Sequence, residues 1–165
     1  MSYASPVPGP SDVFLIRHAE AVSASLELHD PQRHLTAHGR TQARALGDRL
    51  RWHDCEPTHI WTSPLVRAVQ TAELVANMVN AKCVIETQVA LAPGAAADAL
   101  ISALVRLPAA SIVLLFGHQP TITEIASGLV RKDVALLANA EAVRIHHDRL
   151  RWRFRWDAEA PTLTP

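Results

Sequence analysis

Short apolar runs alternate with longer amphipathic stretches along the chain, and this alternation predicts β-strands interleaved with α-helices. The runs that predict strands are 13–16, 58–61, 82–86 and 111–116, followed by 142–147 and 150–156, which are joined at Asp148-Arg149. Helices are predicted from Thr36, from Ser63-Pro64 to about Asn80, from the loop 90–94 to about Leu107, and from about Thr121 to Leu129. This order predicts an α/β fold of three layers, α/β/α, whose mixed, mostly parallel sheet carries an antiparallel hairpin at its C-terminal edge.

Two residues are predicted to begin helices. Thr36 has a side chain suited to an N-cap, and an apolar stripe follows it as far as Leu50. Ser63 is a second candidate N-cap, because Pro64 follows it and proline suits the first turn of a helix. The positions expected to be buried in that second helix are Val66, Val69, Leu74, Val75 and Met78.

The length and composition are those of one globular domain. The chain has 165 residues, of which 48% are hydrophobic, and this is enough for a single sizeable core. We predict a flexible N-terminal lead-in over 1–11, one domain over 12–157 and a C-terminal tail over 158–165. The N-terminus lacks the basic and apolar regions of a signal peptide, and no apolar run is long enough to span a membrane. We therefore expect a cytoplasmic protein with no membrane partner.

Charge and cysteine content exclude further classes. Sixteen basic residues balance sixteen acidic ones, so the sequence shows no bias toward nucleic acid. Cys55 and Cys83 have neither the spacing of metal ligands nor that of a disulfide framework, and we expect two reduced thiols.

Arginine and histidine follow three of the predicted strands. Arg17 and His18 come after the first strand, Ser63 and Arg67 come after the second, and His118 follows the most apolar strand. Because the carboxyl ends of parallel strands meet at one edge of a sheet, we expect these side chains to converge in one crevice. Two arginines and two histidines suit phosphoryl transfer, since guanidinium groups bind phosphate oxygens and a neutral imidazole can attack phosphorus.

The same segments carry a family resemblance. Residues 14–20, Phe-Leu-Ile-Arg-His-Ala-Glu, resemble the Arg-His-Gly signature of the histidine phosphatase (phosphoglycerate mutase-like) superfamily. Residues 30–43 resemble the loop and helix start of its SixA-like phosphohistidine phosphatase branch. Residues 62–72 match the second arginine motif and residues 117–120 match the second histidine motif. The resemblance covers roughly residues 12 to 147, and four motifs in order make it specific.

The resemblance implies a role for each site residue. His18 is the expected nucleophile, and Arg17, Arg67 and His118 are expected to complete a catalytic phosphate pocket, with His118 protonated as a donor. Ser63 is a further candidate for phosphate binding. The implied protein is a metal-independent phosphatase that needs no cofactor. It would form a covalent phosphohistidine on His18.

The sequence departs from the larger mutases at two places. Ala19 replaces the glycine of the signature, and the loop 89–94 lacks the acidic proton donor that mutases carry there. Glu86 and Asp98 are the nearest carboxylates, and solvated surface positions fit both better than recruitment to the site. Without an acid, the site favours cleavage of a P–N bond, because a protonated phosphohistidine departs as neutral imidazole.

Three functions are compatible with the sequence. A protein phosphohistidine phosphatase is preferred, since the short chain has little material for a lid over the crevice and would accept a phosphorylated protein. The alternatives are a small-molecule phosphomonoesterase of the same superfamily, acting on a small phosphorylated substrate, and a non-enzymatic domain that binds phosphate or a protein.

Two features lie outside the predicted pocket. Arg149, Arg151, Arg153 and Arg155 alternate with apolar residues, which predicts a strand with one arginine face and offers a docking site for an acidic protein partner. His29, His34 and His38 lack a matching set of carboxylates or cysteines, so no metal site is expected there.

Overall fold

The computed structural model of the protein describes residues 9–164, and in this range seven strands form one sheet. The strands are β1 Asp12–Arg17, β2 His59–Thr62, β3 Ile85–Thr87, β4 Ile112–Gly117, β5 Glu141–His146, β6 Arg149–Arg155 and β7 Thr162–Leu163. Their order in the sheet is β3-β2-β4-β1-β5-β6-β7. The first four strands of that order pair in parallel, and β5, β6 and β7 add antiparallel pairs. The mixed sheet with its antiparallel C-terminal strands is thereby confirmed.

Helices cover both faces of the sheet. They are α1 Ala37–Leu50, α2 Val66–Met78, α3 Ala97–Leu104 and α4 Thr121–Val130, with short 3₁₀ turns at Asp30–Gln32 and Val89–Leu91. On β1, Phe14 and Ile16 face the core under α1 and α2, whereas Val13 and Leu15 face the core under α3 and α4. Because β1 and β4 are buried on both faces, their sequences are continuous apolar runs. The three-layer α/β/α arrangement is confirmed.

The start of α1 agrees with the sequence, but the start of α2 does not. Thr36 caps α1, and its hydroxyl accepts a hydrogen bond from the amide of Gly39. The N-cap of α2 is Leu65, which contributes no side-chain bond. The prediction of Ser63 as N-cap is wrong because its amide still pairs with the carbonyl of Phe116, as part of the sheet edge, and its hydroxyl is used by the site.

The buried face of α2 consists mainly of small residues. Ala68, Thr71 and Ala72 are fully buried there, and Val75 is the one member of the expected apolar set that is buried to the same degree. Small side chains let α2 approach α1 closely, and a Cβ added at Gly47 of α1 would lie 2.6 Å from Met78 Cβ. The buried face of α2 is therefore formed mainly by smaller residues than the apolar ones that the sequence predicted.

The C-terminal hairpin departs from strict alternation. Trp152 and Phe154 of β6 are buried under the helices α1 and α2, but the register of β5 and β6 shifts between Arg144 and Ile145. Leu150 consequently pairs with Ile145 and joins the other core. This shift is a β-bulge, which turns the strand so that one face no longer carries every arginine.

The arginines of β6 also differ in their surroundings. Arg153 and Arg155 form ion pairs with Glu141 and Asp157. Arg149, Arg151 and Arg155 are exposed whereas Arg153 is partly buried, so the four arginines do not form one uniformly exposed face. An acidic protein partner at the strand Arg149–Arg155 stays a prediction.

The structure covers most of the predicted C-terminal tail but only the last three residues of the predicted N-terminal lead-in. The lead-in was predicted over 1–11, and residues 1–8 lie outside the described residues. The predicted tail 158–165 contains β7, which pairs with β6 and extends the sheet. Among residues 9–164, no helix combines the length and the apolar character that a membrane crossing requires.

Candidate active site

A cleft of about 420 Å³ opens at the carboxyl ends of the parallel strands. Its walls include Arg17 and His18 after β1, Arg67 in the first turn of α2, and His118 after β4. The structure thus brings together the four residues that the sequence placed at three strand ends. This is the position at which open α/β sheets build their binding sites.

His18 is held with one ring nitrogen available. Its amide bonds to the carbonyl of Gly117 at 3.0 Å, which extends the pairing of β1 with β4 by one residue. Its Nδ1 donates to the carbonyl of Ala19 at 2.7 Å. A carbonyl only accepts, so the proton of the neutral ring is on Nδ1 and the lone pair is on Nε2.

Burial keeps this imidazole neutral. His18 is 8% exposed, and desolvation is the main reason that its pKa falls to about 4. The hydrogen bond to Ala19 opposes the fall in pKa, while the charges of Arg67, Arg17 and Arg33 add to it. At neutral pH the ring is therefore neutral, and the lone pair on Nε2 is available to attack an electrophile.

His118 lies beside His18 and is also neutral. The centroids of the two rings are 5.0 Å apart, and desolvation, followed by the charges of His18 and Arg67, lowers the pKa of His118 to about 3. Its Nε2 lies 2.8 Å from Ser63 Oγ, which also accepts from the amide of Leu65. We assign the hydroxyl proton of Ser63 to this bond, which places the ring proton of His118 on Nδ1. The sequence predicted a protonated His118, but its neutral ring still offers one donor.

The two arginines are oriented by backbone carbonyls. Arg17 Nη1 donates to Leu137 O at 2.9 Å, and Arg67 Nη1 donates to Asp30 O at 2.8 Å. Burial lowers the pKa of both guanidinium groups, which nevertheless stay cationic.

Three buried nitrogens of this cleft have no hydrogen-bond partner within residues 9–164. They are Arg17 Nε, Arg67 Nε and His118 Nδ1. Buried donors are rarely left unpaired, since each costs about 1–3 kcal/mol. An oxyanion in the cleft would supply acceptors to all three, and the two guanidinium groups would balance its charge.

Asp30 and Arg33 enter the cleft from the 3₁₀ turn before α1, and the sequence assigned neither a role. Asp30 contacts Arg33 at 2.9 Å and Arg67 at 3.2 Å. The hydrogen bond from Arg33 is the largest cause that holds the pKa of Asp30 below its ordinary value, and the charge of Arg67 contributes. Asp30 is thus an ionised carboxylate between two arginines. A sequence feature that could have identified both residues was present, because they lie in the segment 30–43 that resembles the SixA-like branch.

The other candidates lie outside the cleft. Ser63 is fully buried behind His118 and is not among the residues that line the cleft in the described part of the chain. Glu86 and Asp98 are exposed, and neither is among the described residues that line the cleft. The loop that carries an acid in mutases contributes Pro93 to the wall, and the second carboxylate of the wall is Glu20.

Two amide side chains complete the rim. Asn139 donates to the carbonyl of His18 at 3.0 Å, and Gln119 donates to Leu137 O at 3.2 Å. Both line the cleft. No sequence signal points to Asn139, because it lies in an irregular segment that only the fold carries to His18.

The three histidines considered as metal ligands do not form a site. Within the described range no group of three or more His, Cys, Asp or Glu side chains is arranged to hold a metal ion. The cleft itself presents arginine and neutral histidine, which suit an anion.

Comparisons with known proteins agree with this geometry. The family model of the histidine phosphatase superfamily (branch 1) matches residues 13–91. An uncharacterized protein of Picosynechococcus sp. (strain ATCC 27264 / PCC 7002 / PR-6) is 34% identical over 122 residues, which are 72% of this chain and 72% of that protein. The mitochondrial serine/threonine-protein phosphatase Pgam5 of Caenorhabditis briggsae is 39% identical over 64 residues, 39% of this chain and 21% of that protein.

A solved structure extends the likeness to the fold. The protein histidine phosphatase SixA complexed with tungstate superposes with a TM-score of 0.79 at 23% identity, covering 88% of this chain and 97% of SixA. The chain belongs to the histidine phosphatase superfamily, and its fold is SixA-like. It is a phosphatase.

Proposed function

We propose that the protein is a phosphohistidine phosphatase that works through a covalent phosphoryl group on His18. The observation that carries the proposal is the state of that ring: Nδ1 is bound to Ala19 O, and Nε2 is left as a nucleophile. It lies in the cleft that also holds the unpartnered donors of Arg17, Arg67 and His118. Nucleophile and oxyanion donors thus occupy one site, as phosphoryl transfer requires.

The reaction has two steps. In the first step the lone pair on Nε2 attacks phosphorus, the bond from phosphorus to the leaving nitrogen breaks, and that nitrogen keeps the electron pair. Arg17 Nε, Arg67 Nε and His118 Nδ1–H bind the phosphoryl oxygens. In the second step water attacks the phosphorus on His18, which releases inorganic phosphate and a proton and restores the free Nε2.

The carboxylates of the cleft support a leaving group that needs no acid. Asp30 is held ionised between Arg33 and Arg67, so it cannot donate a proton. Glu20 Oε1 accepts a hydrogen bond of 2.6 Å from the hydroxyl of Thr36. A substrate phosphohistidine protonated on its other ring nitrogen leaves as neutral imidazole without an acid. SixA, which shares the fold, is named as a protein histidine phosphatase, and this supports a protein substrate.

The test compares His18→Ala with the wild type on a phosphohistidine protein. We expect turnover to fall by at least about 1,000-fold, since removal of a nucleophile removes both steps. The wild type mixed with labelled substrate and quenched in milliseconds should carry a base-stable, acid-labile phosphoryl group that the variant lacks. His34→Ala is the matched control, because His34 is exposed and lies outside the cleft. Equal rates for His18→Ala and the wild type would contradict the proposal.

A small-molecule phosphomonoesterase is the second candidate, and Glu20 is the observation that favours it. This exposed carboxylate lines the cleft and is the one wall carboxylate, among the described residues, that has no contact with an arginine. If it protonates an alkoxide leaving group, Glu20→Gln should lower the rate on phosphate esters by about 100-fold or more and spare phosphohistidine. Under the first proposal the wild type prefers phosphohistidine over a panel of sugar phosphates, and Glu20→Gln changes both rates little.

A further inference from the structure

We infer that Arg153 and Glu141 are positioning residues for Arg17 and His18, although both lie outside the cleft. The pair holds the segment 135–140, and that segment holds the two site residues. The inference rests on the proposed function, because it assigns to Arg17 and His18 the binding and attack of a phosphoryl group. The sequence had placed Arg153 on a docking face, and the structure instead gives its side chain three internal partners.

Arg153 holds the segment 135–140 and Glu141 with three nitrogens of its guanidinium group. Its Nε donates to Glu141 Oε1 at 2.9 Å, its Nη1 to Ala135 O at 2.8 Å and its Nη2 to Leu136 O at 2.7 Å. The two carbonyls belong to consecutive residues, and the fork of the guanidinium fits both at once. A lysine in this place would supply one charge without the fork.

Glu141 holds the next turn of the same segment. It is 6% exposed, and its second oxygen accepts from the amide of Ala138 at 2.7 Å. Both carboxylate oxygens are therefore used, one by Arg153 and one by the segment. A buried carboxylate is tolerated only with such partners, so the geometry of the pair is fixed.

The segment reaches the site at three points. Leu137 O accepts from Arg17 Nη1, Asn139 Nδ2 donates to His18 O, and the amide of Ala140 contacts the carbonyls of Arg17 and His18 at 3.2 and 3.3 Å. The bond to Leu137 O occupies one end of the Arg17 guanidinium, and Nε has no partner among residues 9–164. Arg153 fixes the carbonyl of Leu136, one residue before that contact. It therefore acts on Arg17 through the backbone.

The experiment uses Arg153→Lys, which keeps a positive charge beside the buried Glu141 and removes the fork. We expect kcat/KM to fall by about 10- to 100-fold, the size of effect that a small misplacement of a binding group produces. Inhibition by tungstate should weaken by a similar factor. Arg151→Lys is the matched control, because Arg151 is an exposed arginine of the same strand, and it should behave as the wild type. Glu141→Gln tests the other half of the pair and should weaken tungstate binding in the same direction.

A double-mutant cycle separates positioning from general destabilisation. If Arg153 acts through Arg17, Arg153→Lys should weaken tungstate binding in the wild type and have little further effect in an Arg17→Ala background. The same loss in both backgrounds, or a kcat/KM for Arg153→Lys equal to that of Arg151→Lys, would overturn the inference. Tungstate binding needs no turnover, so a wild type that binds tungstate but does not hydrolyse phosphohistidine contradicts the proposed function alone.

Discussion

The side chains of His18 and His118 show how burial selects one protonation state at a site. Each ring is desolvated beside arginines, and the pKa values fall to about 4 and about 3. A neutral ring is required of a nucleophile, and in the assigned tautomer the neutral ring of His118 keeps Nδ1–H as a donor. We consequently expect the protein to be less stable in acid, because the unfolded chain takes up protons that the folded cleft excludes.

This difference predicts how stability depends on pH. An unfolded histidine has a pKa of about 6.5, so between about pH 6.5 and about pH 4 the unfolded state binds more protons than the folded state. The contribution of the two neutral rings to the free energy of unfolding is therefore complete above about pH 6.5, and it is lost as the pH decreases. At about pH 5 the two rings each remove about 2 kcal/mol. Urea unfolding of the wild type and His118→Gln at about pH 7 and about pH 5 measures the effect.

His118→Gln should lose less stability between these two pH values than the wild type does. His34→Gln removes an exposed histidine and is the control. An identical loss in His118→Gln and the wild type would mean that His118 is not excluded from protonation in the folded state.

At the scale of elements, the cleft depends on how closely α1 approaches the loop after β1. Glu20 and Thr36 make two bonds to each other, one between backbone atoms and one between side chains, and Thr36 caps the helix. Gly39 lies in the first turn of α1 directly against the backbone of Glu20, and a Cβ there would collide with its carbonyl. The helix start and the wall of the cleft are thus one packed unit.

Gly39→Ala should therefore destabilise the protein and disturb the cleft. Alanine favours a helix over glycine by about 1 kcal/mol, but the collision with backbone cannot be relieved by a rotamer, and we expect a net loss of about 1–3 kcal/mol with reduced activity. Gly128→Ala in α4 is the matched control, since its Cβ would meet the end of the Ile101 side chain, which can move. Urea midpoints and phosphatase rates of the two variants provide the comparison. Equal midpoints would contradict this account of Gly39.

At the scale of the whole molecule, the cleft concentrates unsatisfied donors in a protein of zero formal net charge. Arg17, Arg33 and Arg67 gather positive charge at one sheet edge, and Asp30 offsets part of it. A chain with balanced charge can attract an anion only where positive charge is concentrated locally, and this cleft has such a concentration. The donors come from β1, α2 and the loop after β4. An anion that binds all of them would therefore add contacts between these three parts of the fold.

Oxyanion binding should consequently raise the stability of the folded protein. A ligand at about 100 times its Kd adds about 2.7 kcal/mol, so tungstate titrated into the wild type should raise the Tm by several degrees. Arg67→Gln removes a partner of both the anion and Asp30, and we expect it to lose most of the shift. Arg151→Gln should keep it. A shift that is unchanged in Arg67→Gln would place the anion elsewhere on the protein.

The sequence alone predicted the order of elements and the convergence of Arg17, His18, Arg67 and His118 on one cleft. Apolar runs such as 13–16 and 111–116 are long enough to be buried strands, and parallel strands bring the residues at their carboxyl ends to one edge. Arg17, His18 and His118 therefore had to lie near each other once the strands were parallel. The N-cap at Thr36 was equally local, because it depends on one side chain and an amide three residues on.

Only the tertiary structure decided the contacts between segments distant in sequence. Asp30 meets Arg67, Arg153 meets Glu141 and Leu137 meets Arg17 because the sheet order and the β-bulge bring them together, and no local pattern encodes such pairings. The same packing removed Ser63 from the helix start and placed it behind His118. The sequence determined which residue types stand at the ends of the strands and line the cleft, since residue type and strand position are local properties. The structure decided their protonation and orientation, since burial and long-range hydrogen bonds are properties of the folded chain.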